Sequence, residues 1–379
     1  MRVVVVGAGA WGLPAAAELA ERGHRVDLVD RFGPANEYSS SPGPTRIWRL
    51  SHPDPVRVRL ALRCVEAMER LGSRHGSEVF LRRGLLWRDD ETVDAVVDSL
   101  GSAGASCERV AAQDVGRFLP GLRPDGRDAV WQRDAGPVLA AESMAAQQRR
   151  FDRAGGDLHV GLQVREVHTG PGGARVVCDG GRVLDADVVV LAAGPGAGDL
   201  LAGLGLDLRL TPRLEQVAHI AHLDGTALSD GLPCWFDGPQ GDRPAMYAMA
   251  TPGVGYKIGV DRALRDWSLD DLDRTPDQDL LDMVQRRAAA DLHGFEPRPF
   301  DAQVCCWTES PDNRFIIDSV ADGIVVACGD AGEGFKFSAL MGEVLADLAE
   351  GRTPDADVAS FGLARFADGV PDEPHVLGR

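Results

Sequence analysis

The chain has 379 residues, of which 44% are hydrophobic and 26% charged, and its formal net charge is −18 at pH 7. This length predicts two folding units, and the acidic balance argues against nucleic acid as a partner. Seven cysteines without a C-x-x-C spacing argue against a disulfide framework and for a reducing compartment. We expect a cytoplasmic protein without a secretory leader or a membrane span, because no run approaches roughly 20 apolar residues.

The first 30 residues predict a strand–helix–strand unit that binds a dinucleotide. RVVVV is typical of a buried strand, GAGAWG follows it, and HRVDLVD forms a second strand that ends at Asp30. Gly7 permits the tight turn, Gly9 the approach of a pyrophosphate, and Gly12 the close packing of the helix. Asp30 is placed to accept a hydrogen bond from a ribose hydroxyl. This motif alone does not choose between NAD and FAD.

The strand–glycine–helix pattern recurs twice later in the chain. DVVVLAAGPG places Gly194 after an apolar strand, and GIVVACGDAGEGFKF contains Gly329, Gly332 and Gly334. In FAD enzymes, a late strand followed by glycine and a helix brings a helix N-terminus to the flavin, where it stabilises negative charge. The three glycine sites together favour FAD over NAD.

The order of the remaining elements predicts an α/β fold, α+β overall. Helices are expected at about 54–72, 91–103 and 269–292, and strand-rich stretches at 157–191 and 208–262. We predict a discontinuous Rossmann-type FAD-binding domain at 1–82, 143–212 and 312–379. An inserted, mostly antiparallel β-sheet substrate domain is expected at 83–142 and 213–311.

Four cations stand in unusual local settings. Arg46 and Arg49 lie three residues apart in TRIWRL, Lys257 lies in the apolar strand GYKIG, and Lys336 lies between two phenylalanines. A cation among apolar residues needs an anionic partner or ligand. The alternatives are a surface pair for the arginines and an edge-strand position for Lys257.

QVCCWTES places Cys305 and Cys306 next to each other. Successive side chains of a strand point to opposite faces, so at most one of these thiols is expected to face a given site.

These motifs together resemble the monomeric sarcosine oxidase and N-methyltryptophan oxidase family, within the D-amino-acid-oxidase-like flavoproteins. The resemblance runs nearly end to end, through GAGAWG, GPTRIWR, GYKIG, VCCWT, FIID and GEGFKFSALMGEVLADL. It implies FAD that is covalently linked through a cysteine sulfur to the 8-methyl carbon of the flavin. Counted back from FIID, the linking cysteine of the family falls on Cys305.

The resemblance also implies roles for the other candidate residues. Lys257 matches a lysine that lies beside flavin N5 and activates oxygen, and Arg46 matches an arginine next to the flavin. Arg49 and Lys336 match the pair that holds the substrate carboxylate, and Tyr247 is expected to contact the substrate. The expected cofactor contacts are Gly7, Gly9, Gly12, Asp30, Ser40, Arg46, Val164, Gly194, Cys305, Gly329, Gly332, Gly334 and Lys336.

Two acids depart from the sarcosine oxidase pattern. Asp261 stands where those enzymes have a histidine four residues after the oxygen-activating lysine, and Glu333 replaces the histidine of GHGFKF. A similar acid at the first position occurs in the related oxidase of nikkomycin biosynthesis. We therefore treat Asp261 as a catalytic candidate, and our hypothesis is that both acids contact a polar or cationic part of a larger amino acid. The alternative is that one or both pair with nearby arginines.

The resemblance implies oxidation of the C–N bond of a secondary or primary amino acid to an imine, with O2 reduced to H2O2 by a monomeric enzyme. The residues alone leave three alternatives open. These are a flavin 2-hydroxy-acid oxidase or dehydrogenase of the same fold, an NAD-dependent enzyme that uses the first motif only, and a dinucleotide-binding sensor without turnover. The nine histidines show no metal-binding spacing.

Overall fold

The computed structural model describes residues 1–170, 172–265, 267–367 and 369–370, which form four β-sheets and the helices packed on them. The strands are β1 (Arg2–Val6), β2 (Arg25–Asp30), β3 (Thr45–Trp48), β4 (Leu85–Arg88), β5 (Glu108–Val110), β6 (Ala129–Gln132), β7 (Gly136–Leu139), β8 (Asp157–Val160), β9 (Val164–Gly170), β10 (Gly173–Cys178), β11 (Val183–Ala186), β12 (Val188–Leu191), β13 (Thr211–His222), β14 (Cys234–Asp237), β15 (Met246–Thr251), β16 (Gly255–Val260), β17 (Phe295–Glu309), β18 (Ile316–Ala321) and β19 (Ile324–Cys328). The α-helices are α1 (Gly12–Glu21), α2 (Pro55–His75), α3 (Val93–Ser102), α4 (Val115–Phe118), α5 (Ala140–Arg153), α6 (Ala197–Gly203), α7 (Thr226–Asp230), α8 (Gln278–Asp291), α9 (Ser338–Ala349) and α10 (Ala356–Ala359).

A six-stranded sheet in the order β18-β19-β12-β1-β2-β8 carries the three glycine motifs. All its pairings are parallel except that of β18 with β19. Helices α1, α5 and α9 pack together on one face, while α6 and the three-stranded sheet of β9 to β11 cover the other. The valines of β1 are buried because both faces of the sheet are covered. Because β1, β12 and β19 are parallel neighbours, their carboxyl ends meet at one edge of the sheet.

An eight-stranded sheet in the order β17-β13-β16-β15-β14-β4-β6-β5 forms the second large layer. Its pairings are antiparallel except that of β14 with β4. Ala218, Ala248 and Ile258 point into a hydrophobic core on one face. Because side chains alternate along a strand, their chain neighbours, such as Tyr247 and Lys257, point to the opposite face. That opposite face is turned towards the functional site.

The predicted α/β fold class is confirmed, although one predicted helix is shorter than expected. The polar segment at about 269–292 becomes helical only at Gln278. There the side chain of Asp277 accepts a hydrogen bond from the backbone N–H of Leu280 and caps the helix start. The boundaries of the two domains stay a prediction. Among the described residues, no helix has the length and apolar character that crossing a membrane requires.

Candidate active site

The glycine turns after β1, β12 and β19 converge on one elongated cavity. Gly7 has a φ of +100°, and a Cβ atom there would lie 2.3 Å from the carbonyl oxygen of Ala192 in the neighbouring turn. A Cβ atom on Gly12 would lie 1.8 Å from the carbonyl oxygen of Gly7, so α1 packs directly against the turn. Gly194 and Gly329 line the same cavity. The three glycine motifs thus line one edge of the cavity, although up to about 320 residues separate them in the sequence.

Asp30 fixes the far end of this cavity. Its carboxylate accepts hydrogen bonds from the backbone N–H groups of Ala8 at 2.8 Å, Phe32 at 2.8 Å and Gly33 at 2.7 Å. The cavity continues past Asp30 into a second compartment that Val164 lines. The residues predicted for the adenosine end of a dinucleotide are therefore brought together.

Loops from distant parts of the chain close the cavity around its middle. The indole N–H of Trp11 donates to the carbonyl oxygen of Gly334 at 2.9 Å, which joins the first glycine turn to the last. Gly9, Gly332 and Ser40 also line the cavity. A glycine turn at a helix start, a carboxylate at the end of the second strand and a long cavity between the two large sheets fit FAD.

The eight-stranded sheet supplies the other wall. Its strand pairing places Cys305 opposite Glu215 and places Lys257 opposite Met249. Together with Tyr247, these residues line the cavity from one face of the sheet. Burial raises the pKa of the Cys305 thiol to about 11.

Cys306 also lines the cavity, although its side chain packs with Leu214 and Val304 on the face of β17 opposite to that of Cys305. Its Sγ atom is 3.6 Å from Ser40 Oγ and 3.5 Å from the carbonyl oxygen of Tyr38. The reason is that β17 is an edge strand, and the loop that carries Tyr38 and Ser40 packs on its other face. The flavin link at Cys305 stays a prediction.

Lys257 and Arg46 form a positively charged region in the wall. Lys257 is buried, and its Nζ donates to the carbonyl oxygen of Thr45. Burial, with the nearby charge of Arg46, lowers the pKa of Lys257 to about 7. The guanidinium of Arg46 donates to the carbonyl oxygens of Ser40, Pro42 and Thr45, which hold it in place.

Arg49 and Lys336 both contact a carboxylate of the chain itself, that of Glu333. Glu333 Oε1 accepts from Arg49 Nη2 at 2.6 Å and from Lys336 Nζ at 2.8 Å, and Glu333 Oε2 lies 3.3 Å from Arg57 Nη1. Arg49 also lies 4.5 Å from the ring of Trp87. The sequence motif thus brings Arg49, Lys336 and Glu333 together, in the arrangement expected if Glu333 pairs with nearby arginines.

The cluster around Glu333 carries more positive than negative charge. Burial opposes ionisation of Glu333, but Lys336, Arg57 and Arg49 outweigh it and hold the pKa of Glu333 well below its usual range. Burial lowers the pKa of Lys336 to about 7 and that of His52 to about 3. Even with Lys336 and His52 neutral, two guanidinium groups surround one carboxylate.

Glu215 is a cavity residue that sequence reasoning missed. The hydroxyl of Tyr247 donates to its Oε1 at 2.7 Å, and no ion-pair partner exists for Glu215 among the described residues. Burial raises the pKa of Glu215 to about 7, against the hydrogen bond from Tyr247. The signal in the sequence was weak, because β13 also carries other polar residues such as Arg213, Gln216 and His219.

Asp261 does not join the other predicted residues in the cavity wall, as far as the described residues show. It follows β16, and its backbone N–H donates to the carbonyl oxygen of Ala245. Extended by two pairs, the register that matches Val217 with Gly259 places Asp261 opposite Glu215. Its charge contributes to the raised pKa of Glu215.

Three further charged or polar residues of the site were missed. His52 and Arg57 lie two and seven residues after TRIWRL in the sequence, and both contact Glu333. Asp330 lines the cavity, and burial raises its pKa to about 6. Their proximity to the predicted motifs in the sequence was the available signal.

The comparisons with known proteins agree with this geometry. A family model described as FAD dependent oxidoreductase matches residues 2–348. The monomeric sarcosine oxidase of Streptomyces avermitilis is 29% identical, over 96% of this chain and 97% of that protein. The human peroxisomal sarcosine oxidase is 26% identical, over 96% of this chain and 95% of that protein. The structure of NikD, an unusual amino acid oxidase essential for nikkomycin biosynthesis, superposes with a TM-score of 0.81 at 25% identity, over 100% of this chain and 98% of that one. The chain therefore belongs to the family of FAD-dependent oxidoreductases and is an enzyme.

Proposed function

We propose that this enzyme is an FAD-dependent amine oxidase. It oxidises the C–N bond of a secondary (N-methyl or cyclic) or primary amino acid to an imine, reduces O2 to H2O2 and acts as a monomer. The observation that carries the proposal is the single cavity that joins the glycine turns to Arg49, Lys257 and Lys336. The similarity to named sarcosine oxidases and to an amino acid oxidase supports it.

FAD would supply the redox chemistry, held by the glycine turns and Asp30 and attached through Cys305. Gly7 and Gly9 leave room for its phosphates at the start of α1. The Cys305 thiol lies on the same wall as Lys257, so an attachment there would fix the ring system beside that lysine.

Arg49 and Lys336 bind the carboxylate of the substrate in this proposal. Glu333 neutralises part of their charge, but Arg49 and Arg57 together exceed it, so the cluster can still accept an anion. Two cations on one carboxylate also fix the orientation of the adjacent carbon.

Lys257 would stabilise the negative charge that oxygen gains as it is reduced. Its amine is buried in the wall and held by the carbonyl oxygen of Thr45. A fixed cation in a site that excludes water stabilises such a charge more than a solvated one does.

The proposal is tested on the purified protein by acid precipitation and by a peroxide assay. We expect a yellow protein whose colour stays in the acid pellet, and peroxide release with at least one N-methyl, cyclic or primary amino acid. Colour in the supernatant would overturn the covalent link alone. A colourless protein, or peroxide from 2-hydroxy acids only, would overturn the proposed function.

A further inference from the structure

Glu215 differs from the other charged groups of the cavity because it lacks a partner of opposite charge. Its carboxylate is held only by the hydroxyl of Tyr247, among the residues that the structure describes. A carboxylate that is largely removed from water normally pairs with a cation or is well supplied with donors, and Glu215 is only partly exposed. Glu215 is therefore placed to receive a cation or a proton from a molecule in the cavity.

The fold holds Glu215 and Tyr247 in this position. Glu215 lies opposite Cys305 in the strand pairing, and Tyr247 lies opposite Gly259. A Cβ atom on Gly259 would lie 2.4 Å from Cζ of Tyr247, so the tyrosine ring rests directly on β16. Gly259 thereby allows the Tyr247 hydroxyl to reach Glu215.

We propose that Glu215 binds the ammonium group of the substrate and accepts its proton, with Tyr247 as the positioning residue. This inference deepens the proposed function and depends on it. The N–H bond of the ammonium group breaks and an O–H bond forms on Glu215, without a change in oxidation state. The amine becomes neutral, and its lone pair can then assist the loss of the adjacent C–H bond. Glu215 returns its proton to solvent after the product leaves.

The pKa values of the donor and the acceptor show how readily the ammonium group can pass its proton to Glu215. An aliphatic ammonium group has a pKa of about 10 in water, against about 7 for Glu215, so the carboxylate is the weaker base of the two. In the cavity, the transfer removes two opposite charges from a site of low polarity, which favours the neutral pair. A general base works best when its pKa lies near the working pH.

The other ionisable groups around Glu215 come from four elements. Arg46 on β3 and Lys257 on β16 stabilise its ionised form, and Asp261 after β16 opposes it. Tyr247 on β15 and Cys305 on β17 have raised pKa values and stay neutral near pH 7. Lys257 titrates in the same pH range as Glu215. A pH-dependent change in binding can therefore be assigned to one of them only by comparing variants that lack each group.

The test uses two pairs of probes that differ only by an amine. N-methylglycine is matched with butanoate, and L-proline is matched with cyclopentanecarboxylate. Binding is measured by calorimetry on the anaerobically reduced holoenzyme, in which the amines cannot be oxidised. We expect the wild type to bind the amine of at least one pair more tightly. Glu215→Gln should weaken binding of that amine by about tenfold to 100-fold and leave its carboxylate analogue within about twofold.

The pH dependence provides a second readout. The affinity for the amine relative to its carboxylate analogue should rise between about pH 6 and pH 8 as Glu215 ionises, and this rise should vanish in Glu215→Gln and persist in Lys257→Met. Titration of Lys336 in the same range affects both probes of a pair, because both carry the carboxylate. Tyr247→Phe and Gly259→Ala should shift the midpoint, because both disturb the hydrogen bond to Glu215. Glu309→Gln is the matched control, since the carboxylate of Glu309 is already bound by Arg213 at 2.7 Å.

The outcomes separate this inference from the proposed function. A wild type that binds both members of each pair equally, or not at all, overturns the role of Glu215. The same holds if Glu215→Gln weakens both members alike or keeps the wild-type pH profile. A yellow enzyme that releases peroxide from an amine in these cases keeps the proposed function, whereas a colourless or amine-inactive wild type overturns that function itself.

Discussion

Glu333 and Glu215 are two glutamates of one cavity in opposite electrostatic surroundings. Glu333 lies among Arg49, Arg57 and Lys336, and its pKa is held well below the usual range. Glu215 has only a tyrosine hydroxyl, and burial raises its pKa to about 7. The difference shows that a glutamate in this cavity can be either a structural counter-ion or a group that exchanges protons.

This contrast divides the cavity into two functional regions. The Glu333 region has excess positive charge and suits a carboxylate, whereas the Glu215 region suits a cation. An amino acid zwitterion carries both charges, so each region suits one of its two charged groups. The predictions below test this division, from the largest expected effect to the smallest.

Cys305→Ala should remove acid-stable flavin completely, while Cys306→Ala should keep it. Cys305 lies beside Glu215, whereas the Cys306 thiol contacts Ser40 on the other side of the strand. The measurement is flavin absorbance in the acid pellet and in the supernatant. The reverse pattern would move the attachment point, and with it the flavin ring, away from the Glu215 region.

Glu333→Gln should lower the free energy of unfolding by about 3–5 kcal/mol at pH 7, because it leaves the buried guanidinium groups of Arg49 and Arg57 without their counter-ion. Denaturant titration of the holoenzyme measures the free energy of unfolding. A loss below about 1 kcal/mol would mean that Glu333 is not a structural counter-ion.

Lys257→Met should slow flavin reoxidation by oxygen about 100-fold to 1,000-fold, because a fixed charge beside the site is lost. Reduction of the flavin by substrate should change much less, since Glu215, Arg49 and Lys336 are all retained. Stopped-flow measurement of the two half-reactions separates them. An equal loss in both half-reactions would contradict the assignment.

Glu215→Gln should change how stability depends on pH. The pKa of Glu215 rises from an ordinary 4.5 to about 7 on folding, so the native state binds the extra proton between these values. Wild-type stability should therefore fall relative to Glu215→Gln as pH rises from about 4.5 to 7, by up to about 3 kcal/mol. Urea titrations across this range measure the difference. Parallel curves for the two proteins would contradict the raised pKa.

Asp261→Asn should lower the pH midpoint of amine binding by less than about one unit. The negative charge of Asp261 contributes to the raised pKa of Glu215, so its removal eases ionisation. Calorimetric titration with the tighter amine probe measures the midpoint. An upward shift would contradict the position of Asp261 opposite Glu215.

The sequence predicted the parts of this site that local motifs encode. The glycine turns converge on one cavity because strands β1, β12 and β19 are parallel neighbours, and Asp30, Arg49, Lys257 and Lys336 line the same cavity. Each motif carries its own turn or helix start, so its geometry is largely local.

The sequence did not predict features that depend on pairing between distant strands. Glu215 becomes a cavity residue only because β13 lies between β17 and β16 with a particular register. Cys306 reaches the cavity because β17 is an edge strand that a loop covers from the other side. A single strand gives alternation of faces but does not show what covers each face.

The most direct test of the proposed chemistry is anaerobic mixing of the yellow enzyme with amines and with 2-hydroxy acids of matched shape, followed by air. We expect at least one N-methyl, cyclic or primary amino acid to bleach the flavin while its hydroxy analogue does not. Air should then restore the colour with release of one H2O2 per flavin. Bleaching by hydroxy acids alone, or by no member of the panel, would contradict an amine oxidase.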